Sequence, residues 1–266
     1  MVYFILLLFV LYLLSTMCRR GHPGLQALRG WAYAHRGLHG NGVPENSMAA
    51  FHAAKAAGYG IELDIHLLAD GNLAVIHDAT LKRTTGKDGL IEELTAGQLA
   101  DLYLEGTQET VPQLRDVLKL IDGEVPLVLE LKAAGNNYPK LCQAVCDALE
   151  NYHGVYCLES FDPRCIMWLE KNRPDLIRGQ LAENYFATPG SKLPWYLKLV
   201  LSANMMNFLT RPDFVAYRYR DRKTLGNWLC RKFWGAQGVT WTLKNKQEYD
   251  TAVAEGWIPI FEGFEP

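Results

Sequence analysis

Charge is missing from the first 18 residues, Met1 to Cys18, and neither sign dominates overall: 27 Lys and Arg stand against 29 Asp and Glu, a net of −2. Without a basic surplus, nucleic acid is not an expected partner. No internal repeat and no low-complexity tract occur, which removes solenoids and flexible linkers. The six cysteines, Cys18, Cys142, Cys146, Cys157, Cys165 and Cys230, include no CxxC pair. A chain of 266 residues can bury a core without a disulfide framework, so reduced thiols are expected. No basic residue precedes the apolar run and no small-x-small site precedes Cys18, which argues against a cleaved signal peptide.

The charge-free run is itself informative. An 18-residue helix would rise about 27 Å, a little under the ~30 Å hydrocarbon core of a bilayer. Residues 1–18 are therefore expected to form an uncleaved, single-pass transmembrane anchor. Arg19 and Arg20 follow it directly, and because flanking positive charge tends to stay on the cytoplasmic side, the rest of the chain is expected in the cytoplasm. Residues 19–30 read as a linker or barrel-bottom segment, and 31–266 as one body.

In that body, short apolar strands alternate with amphipathic helices, the pattern of βα units and a parallel sheet. Eight strands are expected, at 31–35, 60–64, 127–131, 155–159, 177–181, 214–217, 238–243 and 257–261. Asn46-Ser47 can cap a helix running to Ala57, Pro112 marks another start, and Asn245 with Glu248 reads as a capping box. Eight units favour an α/β fold of the (β/α)8 TIM-barrel type over an open, doubly wound sheet. The stretch 66–111 is too long for one loop and carries a strand of its own, Leu73 to His77. It reads as a small insertion after the second strand.

Polar residues gather at strand ends: His35-Arg36-Gly37, Glu62-Leu63-Asp64, His77-Asp78 and Glu130-Leu131-Lys132. Side chains repeat every second residue along a strand, so Glu62 and Asp64 share a face. Carboxylates pointing together repel unless a cation lies between them, and hard oxygen ligands suit Mg²⁺ or Ca²⁺ rather than zinc. Glu130 on the neighbouring strand is the expected third metal ligand. The alternative is a structural ion network with Arg36 or Lys132. His35 and His77 titrate near neutrality and can share proton removal and delivery around a phosphate. Arg36 and Lys132 bring cations to phosphate oxygens, or else serve only as counter-ions to the acids. Glu45 is a candidate for the metal's outer shell or its ligand set; a charge at a helix N-terminus is the other reading.

These motifs, with Pro44-Glu45-Asn46, Asp70-Gly71, Arg83-Thr84-Thr85-Gly86, Ser160-Phe161 and Trp241-Thr242, resemble the glycerophosphodiester phosphodiesterase family, in order, from about residue 31 to the end. The resemblance implies a TIM barrel, His35 and His77 as general acid and base, and a Mg²⁺ or Ca²⁺ site made by Glu62, Asp64 and Glu130. It further implies phosphate contacts from Arg36 and Lys132, and Trp241 on the glycerol side of the pocket. In that family the glycerol 2-hydroxyl is thought to attack phosphorus and expel the alcohol. The chain departs from the family after its last strand, where Phe261-Glu262-Gly263-Phe264 stands in place of an Asp and a closing helix. Closure of the barrel is therefore expected to depend on residues 21–30. His66 shares the face of Glu62 and Asp64 and is expected at the rim.

The expected reaction is metal-dependent hydrolysis of glycerophosphodiesters to glycerol 3-phosphate and an alcohol, extending to lysophospholipids at a membrane. Alternatives are a phosphoinositide-type phospholipase C and a non-catalytic, membrane-anchored phospholipid-binding barrel. Residues 193–209, rich in apolar side chains with Trp195 and Tyr196 at their start, read as a barrel helix or as a segment resting on a bilayer.

Overall fold

The computed structural model describes residues 1–266. Its strands are β1 (Tyr33–His35), β2 (Gly60–Leu67), β3 (Leu73–Val75), β4 (Leu127–Leu131), β5 (Tyr156–Ser160), β6 (Arg178–Ala182), β7 (Phe214–Arg218), β8 (Gln237–Leu243) and β9 (Trp257–Phe261). Eight of them pair in parallel, in the order β1-β2-β4-β5-β6-β7-β8-β9. β1 bonds to both β2 and β9, with Tyr33 opposite Ile260 and Ala34 opposite Phe261, so the sheet closes on itself. The result is a TIM barrel, with β3 lying antiparallel against the outer half of β2.

The helices are α1 (Val2–Ser15), α2 (Leu25–Leu28), α3 (Met48–Ala56), α4 (Lys82–Thr85), α5 (Leu114–Ile121), α6 (Tyr138–Ala148), α7 (Pro163–Asn172), α8 (Trp195–Ser202), α9 (Asn207–Thr210), α10 (Leu225–Trp228) and α11 (Lys246–Ala254). Side-chain hydroxyl and amide oxygens start two of them. Ser47 accepts from the Ala50 N–H at 3.1 Å and Asn245 from the Glu248 N–H at 3.0 Å, each satisfying a donor that the first helical turn leaves free.

Alternation along the strands divides the molecule into two cores. Outward-facing Ile61, Leu63, Ile65, Leu127, Leu129 and Leu131 pack beneath the helices in the larger core. Inward-facing Tyr33, Val128, Cys157, Phe214, Val239 and Ile258 fill the lower barrel, together with Leu25 and Leu28 of α2. The Tyr33 hydroxyl donates to the Leu28 carbonyl at 3.0 Å. Residues 21–30 thus plug the barrel floor, while closure itself comes from the β1–β9 pairing. Two residues further along the same inward rows, apolar side chains give way to polar ones: Tyr33 to His35, Val128 to Glu130, Cys157 to Glu159. The polar end is the carboxyl end of the strands, where sites form in barrels.

The N-terminal segment departs from expectation. No helix of the structure is long and apolar enough to cross a membrane. α1 stops at Ser15 after 14 residues, a rise of about 21 Å. Beyond it the chain is committed to the barrel wall. Thr16 and Cys18 are buried, the Trp234 indole donates to the Leu13 carbonyl, Arg19 pairs with Asp213, and Arg20 donates to the Trp234 carbonyl. Residues 16–18 therefore cannot lengthen a membrane helix, and the two arginines serve as structural ties. α1 runs antiparallel to β7. The Tyr12 hydroxyl reaches the Ala203 carbonyl, next to Ser202, which holds Tyr217 late in β7, whereas Arg19 meets Asp213 just before that strand begins. The exposed residues 2–11 accordingly project toward the carboxyl end of the barrel.

Candidate active site

β2 brings Glu62 and Asp64 inward, and its register with β4 sets Asp64 opposite Glu130. Ligand oxygens of Glu62, Asp64 and Glu130 all lie within 4.8 Å of one another, and the three residues are buried. Lys132 Nζ sits 2.9 Å from Asp64 Oδ1 and 2.7 Å from Glu130 Oε1. The Arg36 backbone N–H donates to Glu62 Oε2 at 3.0 Å, and Asn46 Nδ2 donates to Asp64 Oδ2 at 2.8 Å.

The electrostatics of the cluster are unequal. Burial, with the charges of Asp64 and Glu130 added, pushes Glu62 well above the usual carboxylate range. Burial likewise raises Glu130 to about 7, with Lys132 opposing and Asp64 adding to the rise. For Asp64, burial is outweighed by Lys132, the histidines and Arg36, and its carboxyl is held far below its ordinary value. Converging buried carboxylates, with Asp64 Oδ1 approached by the Lys132 ammonium, form the donor set a hard divalent cation requires.

Two histidines frame this cluster, each oriented by a carboxylate. His35, ending β1, has Nδ1 2.6 Å from Glu262 Oε2 and turns Nε2 to 3.9 Å from Glu62. His77, just beyond β3, has Nδ1 2.6 Å from Asp78 Oδ1. Burial lowers both rings below their ordinary value, His77 to about 4 with Lys132 and Arg36 contributing. Both are therefore neutral imidazoles at pH 7, and a Nδ1–H held by a carboxylate leaves Nε2 with its lone pair facing the site.

Arg36 Nη1 pairs with Glu45 at 2.9 Å, and its Nε lies 3.5 Å from Asp64. Glu45 is also gripped by Arg83, at 2.6 Å and 3.0 Å, and Arg83 pairs with Asp78. Glu45 therefore orients cations and is not part of the carboxylate triad. Trp241, at the end of β8, stacks edge-on with Phe161 at 5.5 Å and leaves its indole Nε1 buried without an acceptor. A second group, His35, His39 and Glu262, also converges, but Glu262 is already held by His35 and Lys244.

Residues 35–177 match the model of the glycerophosphoryl diester phosphodiesterase family. The chain belongs to that family. A glycerophosphodiester phosphodiesterase of Caldanaerobacter subterraneus is 30% identical over 84% of this chain and 89% of its own length. One from Bacillus altitudinis is 41% identical over 45% of this chain, a match spanning about half (52%) of that protein. Among solved structures, the Oleispira antarctica phosphodiesterase in complex with the product sn-glycerol-3-phosphate superposes with a TM-score of 0.73 at 21% identity, covering 89% of this chain and 94% of that one. This likeness is one of fold. Family membership makes the chain an enzyme of the phosphodiesterase class.

Seen within the family, the structure gives residues roles that the motifs did not assign. Glu262 stands where the sequence departs from the family pattern, yet it is the partner of His35. Arg83 joins Glu45 to Asp78. His66, expected at the rim, is buried, with Nδ1 2.6 Å from Glu92 and Nε2 3.2 Å from the His77 carbonyl. No sequence signal marks these pairings, because Glu262 lies 227 residues from His35 and Glu92 sits in the insertion.

Proposed function

We propose that this chain hydrolyses glycerophosphodiesters to glycerol 3-phosphate and an alcohol, with a divalent cation, Mg²⁺ or Ca²⁺, held by Glu62, Asp64 and Glu130. The observation that carries the reading is the convergence of these three carboxylates between two carboxylate-oriented histidines. When bound, the cation would neutralise charge developing on the phosphoryl oxygens. Arg36 and Lys132 add fixed positive charge at the same point. One histidine Nε2 takes the proton of the attacking hydroxyl; the other gives a proton to the departing alkoxide from its imidazolium form, which the negative charge of a bound phosphodiester favours. Trp241 and Phe161 offer an apolar wall with one free N–H for the glycerol side.

The proposal extends to lysophospholipids presented at a bilayer. Phe186, Trp195, Tyr196 and Leu199 are exposed, the Tyr12 hydroxyl of α1 reaches the Ala203 carbonyl just after α8, and residues 2–11 of α1 are apolar and have no buried face. A helix apolar all round asks for an apolar medium all round, and shallow insertion into a leaflet supplies it without a span. The cytoplasmic placement of the body belongs to the same proposal, supported by six cysteines that are all unpaired.

Glycerol 3-phosphate release by the full chain from glycerophosphocholine, glycerophosphoethanolamine and, by the matching choline assay, lysophosphatidylcholine tests the reaction and ranks the substrates. Turnover on at least one of them is expected. A folded chain that turns over none would favour a binding role. For the bilayer, Phe4→Asp with Leu8→Asp should cut co-sedimentation with phosphatidylcholine/phosphatidylglycerol vesicles by about tenfold or more, from the lost burial of two large apolar side chains. Unchanged co-sedimentation would remove the interfacial reading.

A further inference from the structure

We propose that His66 and Glu92 form a positioning pair for His77, making the insertion part of the catalytic apparatus; the inference rests on the reading of His77 as an acid–base group. His77 lies where the β2–β3 ladder has ended. The last rung is the Ile76 N–H bonding to the Asp64 carbonyl at 3.1 Å, one residue earlier. No backbone N–H reaches the His77 carbonyl, and its donor is His66 Nε2 at 3.2 Å. A carbonyl oxygen only accepts, so Nε2 of His66 carries a hydrogen.

The other ring nitrogen of His66 faces a carboxylate, Glu92, at 2.6 Å, and the His66 side chain is 4% exposed. Both nitrogens are thus committed, and the ring can neither turn nor reach substrate. Glu92 belongs to a 3-10 turn, Ile91–Glu93, in the insertion. Ile91 is fully buried with Leu68, Ala74, Ile76 and Leu81 in the insertion's own core, and its N–H donates to the Ala79 carbonyl at 2.9 Å. Rigid packing therefore fixes Glu92, which fixes His66, which fixes the peptide carrying the His77 ring. His66 touches neither substrate nor Arg36 and Lys132, and its effect falls on the placement of one proton-transferring nitrogen.

The test is a double-mutant cycle read as kcat and KM on the full chain. His66→Phe, which keeps a planar ring and removes both hydrogen bonds, should lower kcat about 10- to 100-fold, the cost of misplacing a reacting group by a fraction of an ångström to an ångström, with KM within about twofold. In a His77→Ala background, the same change should cost nothing further, because the group it positions is gone. Glu92→Gln, outside the barrel, should give a smaller loss of the same kind and serves where His66→Phe fails to fold. Equal losses in both backgrounds, or loss in KM alone, would overturn the positioning role while leaving the phosphodiesterase reading intact. Full activity of His77→Ala alone would overturn the role of His77 and, with it, this inference.

Discussion

Glu62 and Glu130 are pushed above the usual carboxylate range for the same reason that the site can attract a cation: too many carboxylates share too little solvent. A divalent ion binds only the ionised forms, so its uptake should expel protons. With Glu130 raised to about 7 and Glu62 pushed well above the usual carboxylate range, protons should leave as the cation binds at pH 7, and affinity should rise with pH through that range. Calorimetry of Mg²⁺ or Ca²⁺ binding in two buffers of different ionisation enthalpy reads the number directly. Zero protons released would show that the carboxylates are already ionised and that the account of their burial is wrong. The triad, both histidines, Arg36 and Lys132 were all legible in the sequence because strand periodicity and short motifs place them locally. The pairings of Glu262, Arg83 and His66 were not, since each acquires its meaning from a partner brought near only by barrel closure or by the folded insertion.

Strands and helices were the most readable level. Seven of the eight barrel strands lie within about two residues of expectation, and β2 extends to Leu67 because β3 folds back to pair with it. α1 is the counter-example. Its composition signals a span, but the chain after Ser15 finds better partners in the groove lined by Val215, Cys230 and Trp234, and a run of apolar residues cannot by itself say where its helix will stop. At β6 the sequence carries a hidden requirement. A Cβ on Gly179 would lie 2.0 Å from the Phe214 ring, inside the barrel where that ring is fully buried. Gly179→Ala should therefore destabilise the fold by about 1–3 kcal/mol in urea denaturation, and Phe214→Leu should recover part of the loss in the double variant. Unchanged stability in Gly179→Ala would mean that the barrel interior is looser than this packing implies.

The whole molecule is organised by one transition along its strands, from an apolar plug at the floor to charged groups at the mouth. The floor needs Leu25 and Leu28, and the insertion and the exposed residues of α1 and α8 lie toward the mouth. Fold and chemistry meet there, in what we propose is a metal-dependent phosphodiesterase site. The most direct measurement is the rate of glycerol 3-phosphate release from glycerophosphocholine by the full chain with Mg²⁺ or Ca²⁺, after EDTA, after restoring the metal, and by Glu62→Ala. EDTA should abolish activity, added metal should restore it, and Glu62→Ala should lower it by at least about 10²-fold. Full turnover in EDTA, or by Glu62→Ala, would contradict this proposal.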